Sequence, residues 1–391
     1  MKFAKLAVIL SMPLLVSGVA QAKDQAKELK IGLVLTASGH FTVPGTQILH
    51  GVETYIRLHG DTVAGRKIVL VIKDAGGMKP EVAKRLTQEL LVKDKVDILA
   101  GYVLTPNLMS SAPLATATKI PLVDMLAATS SITEKSPYIV RTSFTMQQSA
   151  WAMAKWAYSE GIRTAYTLAS DYSAGHDVQQ EFASVFTAEG GKIVGSVFTP
   201  VDTIDYTPFL QRVKDSKPDA IYTFAPPGSN IPTLIKNMKA LGFADAGIKI
   251  LGEGDVTAEN QLGATGDAAI GVITSFHYSD AHDSAINKEF VKNFRAHYPD
   301  RRPDFAAVGG YDGMHLIYEV LKKTGGDASG DKFIAAAKGM KWEGPSGPVE
   351  IDPRTRDIIH NEYIRRVAKV DGELKNVEFK TFEAVKDPGK E

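Results

Sequence analysis

The chain predicts an α/β fold of two similar parallel-sheet halves in tandem. Three features of the sequence carry this. Its strand-like runs are almost uninterruptedly apolar, as in LKIGLVLT at 29–36, which marks strands covered on both faces. Those runs alternate with segments of helical period. The whole alternation then restarts near Met146.

In the first half, residues 47–59 read as a helix with Ile48, Val52, Tyr55 and Ile56 on one side. A second strand at 68–72 precedes a helix at 80–94, where Pro80 suits the first turn and Val82, Leu86 and Leu90 recur every four residues. Strands at 96–100 and 120–125 complete a βαβαβαβ order, which implies helices on both faces of a parallel sheet. The second half runs helix 146–161, strand 164–169, helix 178–190, strand 192–198, helix 207–216, strand 219–225, helix 230–241 and strand 248–252. The tail has strand 271–276, helices 284–297, 305–324 and 331–338, and strand character at 348–351 and 362–370 around the turn-forming Asp352-Pro353. The tail helices pack most economically by returning to the first half, so several crossings should join the lobes. The expected division is 29–143 with 279–345 for lobe 1, and 144–278 with 346–391 for lobe 2.

Composition narrows the chemistry. The chain has no cysteine, which excludes disulfides, thiolate metal sites and thiol nucleophiles. Residues 1–22 order as a secretory signal: Lys2 and Lys5, then an apolar run too short to span a bilayer, then Ala20-Gln21-Ala22. Cleavage after Ala22 is expected, with the mature chain in the periplasm. Loss of the two lysines leaves 43 Lys+Arg against 45 Asp+Glu, a formal charge of −2. No basic excess exists to hold nucleic acid. A monomer without cofactor or metal is expected.

Open parallel sheets bind ligands beyond the C-terminal ends of their strands. The loops there carry Ser38, His40 and Phe41; Tyr102, Thr105 and Asn107; Ala128 and Thr129; Tyr172; Pro226; and Glu253 and Asp255. They are small, hydroxyl-rich and glycine-rich, a composition that offers hydroxyls and backbone N–H groups to a carboxylate at helix N-termini. Tyr102, Tyr172, His277 and Tyr311 are the favoured aromatic candidates, since they follow strands or lie in turn-rich segments. Trp151 and Trp156 read as core.

The order and spacing of Ser38-Gly39, Gly101-Tyr102, Ala127-Ala128-Thr129, the run from Asp171 to Asp177 and Gly309-Gly310-Tyr311-Asp312 resemble the leucine/isoleucine/valine-type periplasmic binding proteins. These are type I solute-binding proteins of ABC importers. The resemblance implies two Rossmann-like lobes with three crossovers, closing like jaws on a ligand that is passed to a membrane permease. It places Thr105, Asn107, Ala128 and Thr129 on the ligand carboxylate and Tyr172 over the ligand. It also puts an acid near Glu253 on the α-ammonium of amino-acid ligands. The chain departs from that pattern. Ala174 stands where a Tyr often precedes the glycine, Gly254 separates Glu253 from Asp255, and Pro226-Pro227 replaces a loop that often carries Tyr. The Ser-Asp-Tyr and Gly-His-Asp run and the tail from Tyr363 to Val367 are similar to a branch that takes aromatic acids. The expected ligand is therefore a branched-chain or hydrophobic amino acid or an aromatic acid.

Other chemistries lack their signatures. No Gly-x-Gly-x-x-Gly or Walker loop follows a strand, and no Gly-x-Ser-x-Gly elbow supports the alternative of an exported hydrolase. A ligand-sensing regulator on the same fold is a further alternative. The run HYSDAHD, from His277 to Asp283, reads as a solvated loop rather than a metal site, and His176 with Asp177 as the opening of a helix rather than a catalytic base.

Overall fold

A computed structural model of the protein describes residue 1, residues 27–226 and residues 230–390. The signal segment and its cleavage point lie outside the described residues.

Lobe 1 is a six-stranded sheet. It contains β1 (Lys27–Leu35), β2 (Thr62–Val63), β3 (Arg66–Asp74), β4 (Ile98–Gly101), β5 (Leu122–Asp124) and β6 (Ile139–Arg141). Their order is β2-β3-β1-β4-β5-β6, parallel except where β2 pairs β3. Helices α1 (Thr42–His59), α2 (Pro80–Glu89) and α3 (Thr105–Thr118) connect the strands. In β1, Leu29, Ile31, Leu33 and Leu35 are buried with Ile48 and Val52 of α1, while Val34 faces Ala83 and Leu86 of α2. Burying each such side chain is worth ~1.5–3 kcal/mol, so the sheet holds its register through its apolar face pattern.

The second lobe opens with α4 (Met146–Ser159), whose capping box closes on Thr145 and Gln148. It continues with β7 (Thr164–Ser170), α5 (Ser173–Ala188), β8 (Lys192–Thr199), α6 (Thr207–Asp215), β9 (Ala220–Phe224), α7 (Ile231–Ala240), β10 (Lys249–Glu253), α8 (Glu259–Thr265) and β11 (Ile273–Phe276). Then α9 (Ala285–His297), α10 (Phe305–Thr324) and α11 (Gly330–Ala337) return to the first lobe. There α10 lies against α1 so closely that a Cβ on Gly51 would sit 1.9 Å from the Ala307 carbonyl oxygen. Finally β12 (Lys341–Gly344), β13 (Gly347–Ile351), β14 (Ile358–Val370) and β15 (Glu373–Val385) extend the second sheet in antiparallel fashion. β12, assigned above to lobe 1, hydrogen-bonds within this second sheet, while its Trp342 donates to Asp312 of α10.

The same local device starts both lobes. A Cβ on Gly45 would lie 2.2 Å from the Thr36 carbonyl oxygen, and one on Gly175 would lie 1.8 Å from that of Ser170. Only glycine lets the first turns of α1 and α5 press against the ends of β1 and β7. This brings both helix starts to the same side of their sheets, where the lobes face each other. α3 and α5 touch across the divide. No described helix is long and apolar enough to cross a membrane.

Candidate functional site

Between the lobes lies a tight cavity of about 20 Å³. From lobe 1 and its crossing come Val103, Leu104, Thr105, Leu126, Ala128, Phe144, Met146 and Phe305; from lobe 2 come Tyr172, Ala174 and Asp255. In this arrangement it has room for little more than one water molecule, and its lining is mostly apolar with a few polar groups.

Two helix N-termini reach its wall. α3 begins at Thr105 after Leu104, and α5 begins at Ser173 after Tyr172; neither has a side-chain cap. Uncapped N-termini carry partial positive charge and suit an anion. Thr105 Oγ1 donates to Thr129 Oγ1 at 3.2 Å, so both hydroxyls stand together at the start of α3. Across the divide, the Asp177 carboxyl on α5 faces the Gln147 amide, the Thr129 hydroxyl and the Ser130 N–H. Burial, the larger effect, still pushes it up.

Each wall is braced from behind by a fully buried arginine. Arg141 at the end of β6 donates to the Thr129 carbonyl at 2.6 Å and to Asp124 at 3.1 Å, with Asp357 3.3 Å away. Arg365 on β14 donates to the Gly254 carbonyl at 3.3 Å and to the Tyr278 carbonyl, Thr274 and Thr257. The first fixes the Thr129 loop; the second fixes the loop that presents Asp255.

The lobe-2 acids are buried with little compensation. Glu253 Oε2 accepts from the Asp255 N–H at 2.8 Å, while Glu253 Oε1 and Asp255 Oδ1 have no hydrogen-bond partner. Burial pushes Glu253 up to about 8, and pushes Asp255 well above the carboxylate range, with Glu253 and Asp304 adding to the rise. Asp304 caps α10 through the N–H groups of Ala306 and Ala307 and holds Phe305 at the cavity; burial pushes it up to about 8.

The structure thus brings together Thr105, Ala128, Thr129, Tyr172 and Asp255. Tyr172 lies 6.0 Å from Phe224, nearly parallel to it. Several other candidates stand elsewhere. The Tyr102 backbone has φ +65°, and its ring is buried in lobe 1 with the hydroxyl 2.7 Å from Thr87 Oγ1, so it is packing rather than lining. Asn107 uses both ends of its amide to tie α3 to the loop before α2, donating to Gly77 at 2.8 Å and accepting from Lys79 at 3.0 Å. Tyr311 is wedged between α1, α9 and α10, against Tyr55 and Phe290. Ser38 is exposed and helps hold Asp74 in a turn. His40 and Phe41 line a separate open groove with Val201, Asp202, Thr203, Ile204 and Asn230. Pro226 is buried at the end of β9 and Glu253 stands behind Asp255; neither lines the cavity.

His277 lies one layer behind the wall, its ring 5.1 Å from Phe144. The HYSDAHD run is therefore not solvated throughout: His277 is buried and Asp280 pairs with Arg302 at 2.7 Å. Ligand-type atoms of His277, His360 and Glu362 lie within 4.8 Å of one another. They do not fit a metal. His360 Nε2 faces Gln148 Oε1 at 3.2 Å and Nδ1 faces the Asn361 carbonyl at 3.0 Å, both acceptors. The Gln148 amide cannot turn, because its nitrogen donates to the Ile358 and Val385 carbonyls. Both His360 nitrogens therefore point at oxygen.

The residues that sequence reasoning missed are Val103, Leu104, Leu126, Phe144, Met146, Ala174 as lining, and Phe305. The available signal was position: Phe144 and Met146 fall at the junction of the halves, outside any strand period.

Residues 28–373 match the family described as periplasmic binding protein. A protein of Brucella melitensis biotype 1 named Leu/Ile/Val-binding protein homolog 6 is 40% identical over 381 residues, covering 96% of this chain and 97% of that one. A solute binding protein of an ABC transporter from Rhodopseudomonas palustris BisB5, solved in complex with 3,4-dihydroxy benzoic acid, is 51% identical with a TM-score of 0.90. The match covers 93% of this chain and 99% of that one. A counterpart from Rhodopseudomonas palustris HaA2, in complex with p-hydroxybenzoic acid, is 42% identical with a TM-score of 0.90 and the same coverage.

Proposed function

From the premise that the chain belongs to the periplasmic binding protein family and is a solute-binding protein of ABC transporters rather than an enzyme, we propose that it captures an aromatic acid between its lobes. The observation that carries this is the cavity itself, in which two uncapped helix N-termini and a pair of threonine hydroxyls meet an otherwise apolar, aromatic wall. The carboxylate is received by Thr105, Ala128 and Thr129, where the α3 dipole favours negative charge. The ring lies among Tyr172, Phe144 and Phe305.

Closure follows from differential affinity. A ligand touching α3 of lobe 1 and α5 of lobe 2 binds the closed arrangement more tightly than the open one, so it shifts the population toward closure. The closed form is what a membrane permease of the importer recognises. The chain is exported to the periplasm, with cleavage after Ala22, and acts as a monomer. Lobe 1 is taken as 29–143 with 279–345, apart from β12, which pairs in the second sheet, and lobe 2 as 144–278 with 346–391.

An amino acid is the second reading, favoured by the name of the Brucella relative and by the buried acid Asp255. A thermal-shift panel of benzoates and of leucine, isoleucine and valine decides between them. A ligand at ~100 times its Kd stabilises by ~2.7 kcal/mol. Shifts with benzoates alone support the aromatic reading, whereas shifts with the branched-chain amino acids alone overturn it.

A further inference from the structure

We propose that Asp255 reads a ring hydroxyl, so that the cavity selects hydroxylated benzoates over benzoate itself; this rests on the aromatic-acid reading above. Asp255 carries the only carboxyl among the cavity's described lining residues. It is 1% exposed, and its Oδ1 has no hydrogen-bond partner within the protein. A buried acceptor left unpaired costs free energy that a ligand donor recovers.

The neighbouring cation does not take that role. The Arg365 guanidinium is spent on the Tyr278 and Gly254 carbonyls and on two threonine hydroxyls, and the carboxyl it pairs with, at 3.7 Å, is Glu259. Asp255 therefore faces the cavity with an acceptor and no internal donor. A phenolic O–H supplies that donor at the edge of a ring, where an alkyl side chain has none.

The ammonium alternative fits the surroundings less well. An α-ammonium sits on the carbon that bears the carboxylate, so its acid must adjoin the carboxylate's hydroxyls. The charged groups around Asp255 are Glu253, Asp304 and Arg365. The acid beside the Thr129 hydroxyl is a different one, Asp177. Asp255 stands on the lobe-2 wall of the cavity and Thr105 and Ala128 on the lobe-1 wall, so it is placed to serve a second group of the ligand, such as a ring hydroxyl. Sites built to hydrogen-bond a substrate hydroxyl reject analogues that lack it, whereas apolar pockets discriminate weakly.

The test is calorimetry on chain stripped of ligand, using benzoate, 4-hydroxybenzoate and 3,4-dihydroxybenzoate, with Asp255→Ala and Asp255→Leu beside the wild type. Wild type should bind a hydroxylated benzoate at least about tenfold more tightly than benzoate. Either variant should bring that ratio to within about threefold, because the hydroxyl's partner is gone and no carboxyl is left buried. Asp255→Leu replaces the carboxyl by an apolar group of the same branching and leaves no void, so it is the second variant if the alanine variant does not fold. A wild-type ratio near one overturns the inference and leaves the aromatic-acid reading standing. A ratio unchanged in a folded variant overturns it too. Failure of wild type to bind any of the three overturns both.

Discussion

The two walls of the cleft are braced alike but charged differently. Behind the lobe-1 wall, Arg141 has two carboxylates in reach, Asp124 at 3.1 Å and Asp357 at 3.3 Å, and Lys390 joins Asp357 at 2.6 Å. Behind the lobe-2 wall, Arg365 is met mainly by carbonyls and hydroxyls, with Glu259 at 3.7 Å, while Glu253, Asp255 and Glu362 crowd nearby without an ion pair to it. The first arrangement is a compensated ionic network. The second has more carboxyls than cations, and burial, the largest cause for each, pushes them up. The difference teaches that the walls are built on different electrostatics: lobe 1 sets hydroxyls on a compensated network, and lobe 2 sets a carboxyl with an unpaired oxygen at the cavity.

Removing the arginines breaks the comparison most directly. Arg141→Met leaves buried Asp124 without its cation and Asp357 with Lys390 alone, and should cost ~3–5 kcal/mol of stability in denaturant melts. Arg365→Met strands carbonyls and hydroxyls instead and should cost less, ~1–3 kcal/mol. Equal losses would mean the two networks are electrostatically equivalent after all. A smaller effect tests the lobe-1 wall. Thr129→Ala should weaken binding of an aromatic acid by ~1–3 kcal/mol in calorimetry, and wild-type affinity in that variant removes Thr129 from the site. On the lobe-2 wall, Tyr172→Leu keeps apolar bulk but loses the ring, and should weaken the same ligand by ~0.5–1.5 kcal/mol.

The smallest effect is a slope. The Glu253 carboxyl is pushed from an ordinary value of 4.5 up to about 8, so the folded state holds its proton more tightly than the unfolded chain does. The stability this contributes is complete below pH 4.5 and is lost as pH rises through about 8. Melting temperature should therefore fall from pH 7 to 9 in the ligand-free protein, and fall less steeply in Glu253→Gln. Parallel slopes in the two proteins would show that Glu253 is ionised in the folded state.

Much of the fold was legible because its strands are buried on both faces and its helices keep a clear period. The helix at residues 305–324 appears where the apolar spacing puts it. α3 was harder to delimit: its buried positions include Thr105, Asn107, Ser111, Ala112 and Ala115, and Pro113 lies inside it, so no strong apolar stripe marks it. β15 was missed because only Asn376 and Val385 of its thirteen residues are buried, as on the edge of a sheet. At the cavity, loop position agrees with where the structure puts Thr105, Ala128, Tyr172 and Asp255, with Thr129 beside Thr105. The structure puts Tyr102, Asn107 and Tyr311 elsewhere: a place after a strand does not fix where a side chain turns, and Tyr311 stands within α10. A positive φ, a local amide clasp and a helix–helix seam decided those three.

The central claim is that the lobes read opposite ends of one aromatic acid. A crystal structure of the chain with 4-hydroxybenzoate tests it most directly. The account predicts the carboxylate within hydrogen-bond distance of Thr105 or Thr129 and the ring hydroxyl on Asp255. A ligand bound the other way round, or with its hydroxyl away from Asp255, would contradict it.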